Sequence, residues 1–159
     1  MRRKIGPLPD IVDPATRSRL MSGIRGKNTK PELLVRKGLH ARGFRFRLHS
    51  ASVPGKPDLV LKRYHAAVFV HGCFWHSHDC HLFRMPSTRP EFWKAKLERN
   101  RARDQEVRSA LLEAGWRLLV IWECAIKGKY RLDPDDLLDR AAMWIRGENR
   151  EGEIAGRPA

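Results

Sequence analysis

A chain of 159 residues with 42% hydrophobic content suits one domain with a single core, and five tryptophans make that core substantial. A formal net charge of +14 and a pI near 10.5 call for a polyanionic partner, of which nucleic acid is the plainest. The apolar runs are only strand-sized, the N-terminus has no apolar signal core, and three cysteines argue against a disulfide framework. No basic amphipathic helix of the membrane-surface kind is apparent, so a reduced, cytoplasmic protein is expected.

Residues 1–12 carry Pro7 and Pro9 and are expected to form a flexible basic arm. Asp13-Pro14 opens a short helix to about Ile24, with Met21 on a small apolar edge beside Leu20 and Ile24. Thr29-Lys30-Pro31-Glu32 fits a capping box for a second helix that Gly43 closes. Phe44 to Leu48 alternates apolar and basic residues, the period of a half-buried strand. Beyond the turn at Val53-Pro54-Gly55-Lys56-Pro57, a strand from Asp58 to Lys62 turns at Tyr64-His65 into the apolar strand Ala66–His71. The loop from there to Pro90 is long enough to call for a function or a metal. Thr88-Arg89-Pro90-Glu91 fits another capping box, starting a long helix that ends at Ala114-Gly115. Trp116–Trp122 is a continuous apolar strand, and Asp133-Pro134 opens a last helix with Leu137, Leu138, Ala141, Ala142 and Ile145 as its core row. The polar, glycine-rich residues 148–159 are expected to be a disordered tail. The predicted class is α/β. Strands Asp58–Lys62 and Ala66–His71 form a hairpin, a right-handed β-α-β unit makes Trp116–Trp122 parallel to the latter, and helices flank this mixed sheet in one domain over residues 13–147.

A hairpin centred between Tyr64 and His65 sets Lys62 opposite Ala67, Val60 opposite Phe69 and Asp58 opposite His71. Asp58 and the backbone carbonyl of Val70 are hard ligands suited to Mg²⁺, and His71 and His76 stand close enough to handle protons. Glu32 is fully explained by its capping box. A second set, His78, Cys80 and Cys124, is of the borderline-soft kind that suits structural Zn²⁺ and wants a fourth ligand. Asp104 is one candidate, because it shares a helix face with the apolar Trp93, Leu97, Val107 and Leu111; Cys73, Asp79 and His81 are others. Reach counts against Asp104. From Gly115 it lies about 15 Å back along the helix, whereas Cys124 lies about 25 Å along the strand. Phe74, Trp75 and Trp93 are aromatics in a basic chain, suited either to loop and core packing or to contact with bases.

Gly55-Lys56-Pro57-Asp58, the run His71-Gly72-Cys73-Phe74-Trp75-His76, and Trp122-Glu123-Cys124 after an apolar strand together resemble the very-short-patch-repair (Vsr) DNA mismatch endonucleases, over about residues 13–147. The resemblance implies a restriction-endonuclease-like core and Mg²⁺-dependent nicking of one strand, 5′ to the T of a T·G mismatch left by deamination of 5-methylcytosine. It implies that Asp58 and the Val70 carbonyl bind Mg²⁺, that His76 is the general base with His71 as the second catalytic histidine, and that Glu32 holds metal-bound water. It further implies that His78, Cys80, Asp104 and Cys124 bind Zn²⁺ and that Phe74, Trp75, Trp93 and Met21 enter the duplex. Duplex DNA with a T·G mismatch is the expected partner of a monomer, with mismatch-repair proteins as candidate partners. Val70 stands where the family has a threonine, which leaves the backbone ligand unaltered. Two rival readings are a zinc-stabilised DNA-binding module without catalysis and a nuclease of the same fold with another DNA substrate.

Overall fold

The computed structural model describes residues 28–158. The arm over residues 1–12, the short helix to Ile24 and Met21 therefore lie outside the described residues. Five strands form one mixed sheet in the order β1 (Arg47–Leu48), β2 (Leu59–Leu61), β3 (Ala66–His71), β4 (Arg117–Trp122), β5 (Glu151–Ile154). β1, β2 and β3 are antiparallel neighbours, while β3, β4 and β5 run parallel. The three described helices are α1 (Lys30–Ala41), α2 (Pro90–Glu113) and α3 (Pro134–Arg146). Among the described residues, no helix is long and apolar enough to cross a membrane.

Alternation along the strands divides the core between the two faces. Leu59, Leu61, Val68, Leu119 and Ile121 pack with Val35 and Leu39 of α1 and with Leu137 and Ile145 of α3. On the opposite face, Val60, Ala67, Phe69 and Leu118 pack with Leu111 of α2. Asp58 precedes Val60 by two residues and His71 follows Phe69 by two, so strand periodicity carries both toward the α2 face.

Four expectations need correction. The β2–β3 hairpin is two residues out of the predicted register: Val60 pairs with Ala67 and Leu59 with Val68, which continues to Asp58 opposite Phe69 rather than His71. A 3-10 turn over Lys62–Tyr64, followed by His65 at φ 49°, makes the connection longer than a two-residue turn. Because the displacement is two residues, every side chain keeps its face. The alternating segment from Phe44 yields a strand of only two residues, since His49 adopts a left-handed backbone at φ 46°. Thr88 does not cap α2; the N-cap is Arg89, at φ 55° and without a side-chain cap bond, and Pro90 starts the helix. Finally, the tail is not disordered. Residues 151–154 form β5, because the outer edge of buried β4 would otherwise leave its backbone groups unpaired, and Ile154 docks into the core. Arg108 on α2 forms an ion pair with Glu151 that fastens the new edge strand.

Gly55 fixes the loop that leads into Asp58. Its φ of +76° disfavours any side chain, and a Cβ there would meet Val107 Cγ1 of α2 at 2.3 Å. Gly55→Ala is therefore expected to destabilise the fold by about 2 kcal/mol from overpacking and backbone strain, lowering Tm by about 4–8 °C in a thermal melt.

Candidate active site and metal centre

The C-terminal ends of β3 and β4 and the residue before β2 bring Asp58, His71 and His76 to one cleft of about 650 Å³, walled on the far side by α2 with Asp104. Asp58 stands at its floor. One carboxylate oxygen, Oδ2, accepts the Val70 N–H at 2.7 Å, which ties the start of β2 to β3. Burial, with Glu32 nearby, pushes Asp58 up to about 6, against the pull of that N–H and of His49. The chain thus keeps a carboxylate where ionisation is costly unless a cation arrives.

Glu32 lies in the first turn of α1 and is 2% exposed. Its backbone N–H donates to Thr29 Oγ1, half of the expected capping box. The carboxylate does not return to the cap residue; Oε2 accepts the Asn28 N–H at 2.9 Å, and Oε1 meets Arg36 Nη2 and His49 Nε2, each at 2.6 Å. His49 Nε2 also stands 3.6 Å from Asp58 Oδ1. One ligand atom each from Glu32, His49 and Asp58 fits within 4.8 Å, a set able to hold a cation. The sequence reading missed His49.

Next along the cleft, the His71 and His76 rings are stacked 3.7 Å apart and 3° from parallel. His76 Nδ1 is 2.7 Å from Asp104 Oδ2 of α2. Burial first, then the neighbouring His76, pushes His71 down to about 3, so it is a neutral imidazole at physiological pH. Ser77, at φ 53°, reverses the backbone between His76 and His78 and sends the two imidazoles to different sites.

Asp104 is accordingly not in the sulfur cluster. The four side chains that converge there are Cys73, His78, Cys80 and Cys124, whose ligand atoms all lie within 4.8 Å of one another. Cys73, held in reserve in the sequence reading, takes the position that the resemblance assigned to Asp104. The helix falls short of Cys124, as the difference in axial rise suggests, and its carboxylate serves His76 instead. Cys73 and Cys124 are buried, and burial pushes both thiols up, as does the neighbouring Cys80. The Cys124 N–H donates to Cys73 Sγ and the Gly156 N–H to Cys124 Sγ, each at 3.3 Å. Such donors stabilise thiolates, and thiolates packed this closely require a cation. His78 stacks on Trp122 at 4.2 Å, which fixes its ring.

Phe74, Trp75 and Trp93 form one half-buried aromatic cluster, with ring centroids 5.1 to 6.0 Å apart. Lys96 Nζ lies 5.3 Å from the Trp75 ring and 5.7 Å from that of Trp93, putting a cation beside the aromatic surface. Phe92, next to Trp93, is exposed. The cluster belongs to the loop after β3 and the first turn of α2, beside the histidine pair.

Comparison with known proteins gives the family. Residues 9–82 match the family model described as DNA mismatch endonuclease Vsr. The chain is 43% identical over 147 residues to the DNA mismatch endonuclease Vsr of Escherichia coli strain K12, covering 92% of this chain and 94% of that one. It is 46% identical over 119 residues to the type II nicking enzyme V.XorIIP of Xanthomonas oryzae pv. oryzae, covering 75% of this chain and 88% of that protein. It is also 42% identical over 122 residues to the type II nicking enzyme V.NmeAIP of Neisseria meningitidis, covering 77% and 87% respectively.

Proposed function

The chain belongs to the Vsr family of DNA mismatch endonucleases and is itself a DNA endonuclease, and from that premise we propose that it nicks one strand 5′ to the T of a T·G mismatch by Mg²⁺-dependent hydrolysis. The observation that carries this reading is the convergence of a carboxylate, Asp58, and an Asp104–His76–His71 array in one cleft on one sheet face. The mixed sheet is read as a restriction-endonuclease-like core, acting as a cytoplasmic monomer.

His76 is the general base. With its Nδ1–H committed to Asp104, Nε2 is left to accept a proton from the attacking water. Asp104 holds the tautomer and balances the charge that appears on the imidazole. The stacked His71 stays neutral, so it does not repel that charge as a second imidazolium would, and its single N–H remains available to the phosphate. Attack at phosphorus expels the sugar oxygen on the opposite side, which leaves with a proton from solvent or the cleft. Asp58 and the Val70 carbonyl would hold the cation, and Glu32, fixed by Arg36, would accept a hydrogen bond beside it. When bound, Mg²⁺ supplies charge neutralisation at the scissile phosphate. Phe74, Trp75 and Trp93 enter the duplex at the mismatch, where unstacking costs least, so insertion itself favours damaged DNA.

Cys73, His78, Cys80 and Cys124 would hold structural Zn²⁺. Three sulfurs and one imidazole nitrogen within 4.8 Å of one another are the four-donor, borderline-soft set that suits this metal.

On labelled duplexes of identical flanks, the purified protein with Mg²⁺ is expected to nick the T strand of T·G and to leave the T·A and C·G duplexes intact. Equal cleavage of all three would favour the same-fold nuclease with another substrate. No cleavage in any flanking context would favour the DNA-binding module.

Asp58 also sets a pH dependence. A carboxyl whose pKa rises on folding favours the fold most below its unfolded value of 3.8, and that contribution is lost as pH rises through about 6. Cation binding needs the ionised form and so competes with the proton. Calorimetric Mg²⁺ affinity is expected to rise about tenfold per pH unit up to about 6 and to level off above it.

A further inference from the structure

We propose that His49 is a nitrogen ligand of the cation at Asp58 and that it biases this site toward Mn²⁺ over Mg²⁺. The inference rests on the cation site proposed above and adds a residue to it. Three of the four carboxylate oxygens there already have a defined role. Asp58 Oδ2 is held by the Val70 N–H, and both oxygens of Glu32 are engaged, by Asn28 on one side and by Arg36 with His49 on the other. The fourth, Asp58 Oδ1, faces His49 Nε2, the same nitrogen that meets Glu32 Oε1 at 2.6 Å, across a gap of 3.6 Å. That spacing lies within the range of neighbouring donors around a cation with bonds of about 2.1 Å.

The backbone supports a specific task for this side chain. His49 is held in the left-handed region at φ 46°, a conformation that costs a non-glycine residue about 1 kcal/mol or more and that persists where surrounding contacts require it. Here it ends β1 after two residues and brings the imidazole to Glu32 and Asp58. Its Nδ1 makes no hydrogen bond among the described residues, so the proton can reside there and free Nε2 to ligate. A cation seated at Asp58 would replace the Nε2–Glu32 contact and take the Nε2 lone pair, while Arg36 would keep Glu32 in place beside it. Carboxylates and carbonyls suit Mg²⁺ and Mn²⁺ alike, whereas an imidazole donor suits the transition metal better.

The test uses the full-length, zinc-loaded chain without DNA. Calorimetry gives Mn²⁺ and Mg²⁺ dissociation constants for wild type and His49→Gln, and pulsed EPR of bound Mn²⁺ reads the ¹⁴N modulation of a directly coordinated imidazole. Expected are nitrogen modulation in wild type and His76→Ala, its loss in His49→Gln, and a Mn²⁺ Kd weakened about tenfold or more while Mg²⁺ moves less than about threefold. Wild-type Mn²⁺ bound in an Asp58-dependent manner but without nitrogen modulation would overturn the role of His49 and leave the cation site standing. Modulation lost in His76→Ala instead would assign the nitrogen to His76 and overturn the proposal equally. Cation binding indifferent to Asp58→Ala would overturn the cation site itself. Because the nitrogen signal is read on wild type, the outcome does not depend on how well His49→Gln folds.

Discussion

Asp58→Ala is expected to lower nicking of a T·G duplex about 10⁴-fold, while the Kd for the same duplex stays within about threefold of wild type. The size follows from the several kcal/mol that charge neutralisation at a scissile phosphate contributes, at 1.36 kcal/mol per tenfold in rate. Binding is spared because it rests on a net charge of +14 and on the aromatic cluster, neither of which involves Asp58. Alanine also removes the acceptor for the Val70 N–H, so a structural defect must be separated from a catalytic one. Asp58→Asn makes that separation. Its amide oxygen can still accept the Val70 N–H, yet it cannot ionise. The same loss of activity is expected, with a metal-free Tm at pH 8 equal to or above wild type. Wild type must hold a buried carboxylate ionised there, above its value of about 6. Nicking by Asp58→Asn within tenfold of wild type would remove Asp58 from the chemistry.

The parts of the site that follow strand periodicity were legible in the sequence, and those set by local backbone reversals were not. Asp58 and His71 were paired in the wrong register, but an error of two residues preserves the face, so their common side of the sheet survived the mistake. His49 illustrates the opposite case. In an unbroken alternating strand it would fall with Arg45 and Arg47 on the polar side, away from any site. One positive φ redirects it, and nothing in the sequence marks that reversal. The signal for Cys73 was present. A ligand two residues from His71 sits at the strand end, at the same sheet edge as Cys124, while Asp104 was already short by the rise of its helix. The tail was misjudged because composition describes a segment by itself. Glu151–Ile154 gains order from the unpaired edge of β4, a tertiary cause that local polarity cannot reveal. Asp104 was expected at the metal on the ground that a carboxylate on the apolar helix face needs a partner; its partner is the His76 imidazole, and its side chain is only partly buried.

Asp104→Asn and Cys73→Ser are expected to fail in opposite ways, and the pair decides which site each residue serves. Asp104→Asn should keep one equivalent of zinc by metal analysis and a near-normal Tm, yet lose about 10³–10⁴-fold in nicking. An amide at 2.7 Å from Nδ1 can present its NH₂ group to the ring and stabilise the wrong tautomer, and it carries no charge to offset the imidazolium. Cys73→Ser should do the reverse at the level of the metal. A hydroxyl does not replace a thiolate donor, and the buried Cys124 N–H loses its sulfur acceptor, so zinc should be released orders of magnitude faster into a chromogenic chelator. Its Tm should fall by 10 °C or more, at about 2–4 °C per kcal/mol, with activity lost only in step with folding. The reciprocal result, zinc lost from Asp104→Asn and retained by Cys73→Ser, would return Asp104 to the metal and leave His76 without its charge partner. The histidine would then lack the group that makes it a base rather than a spectator of the phosphate.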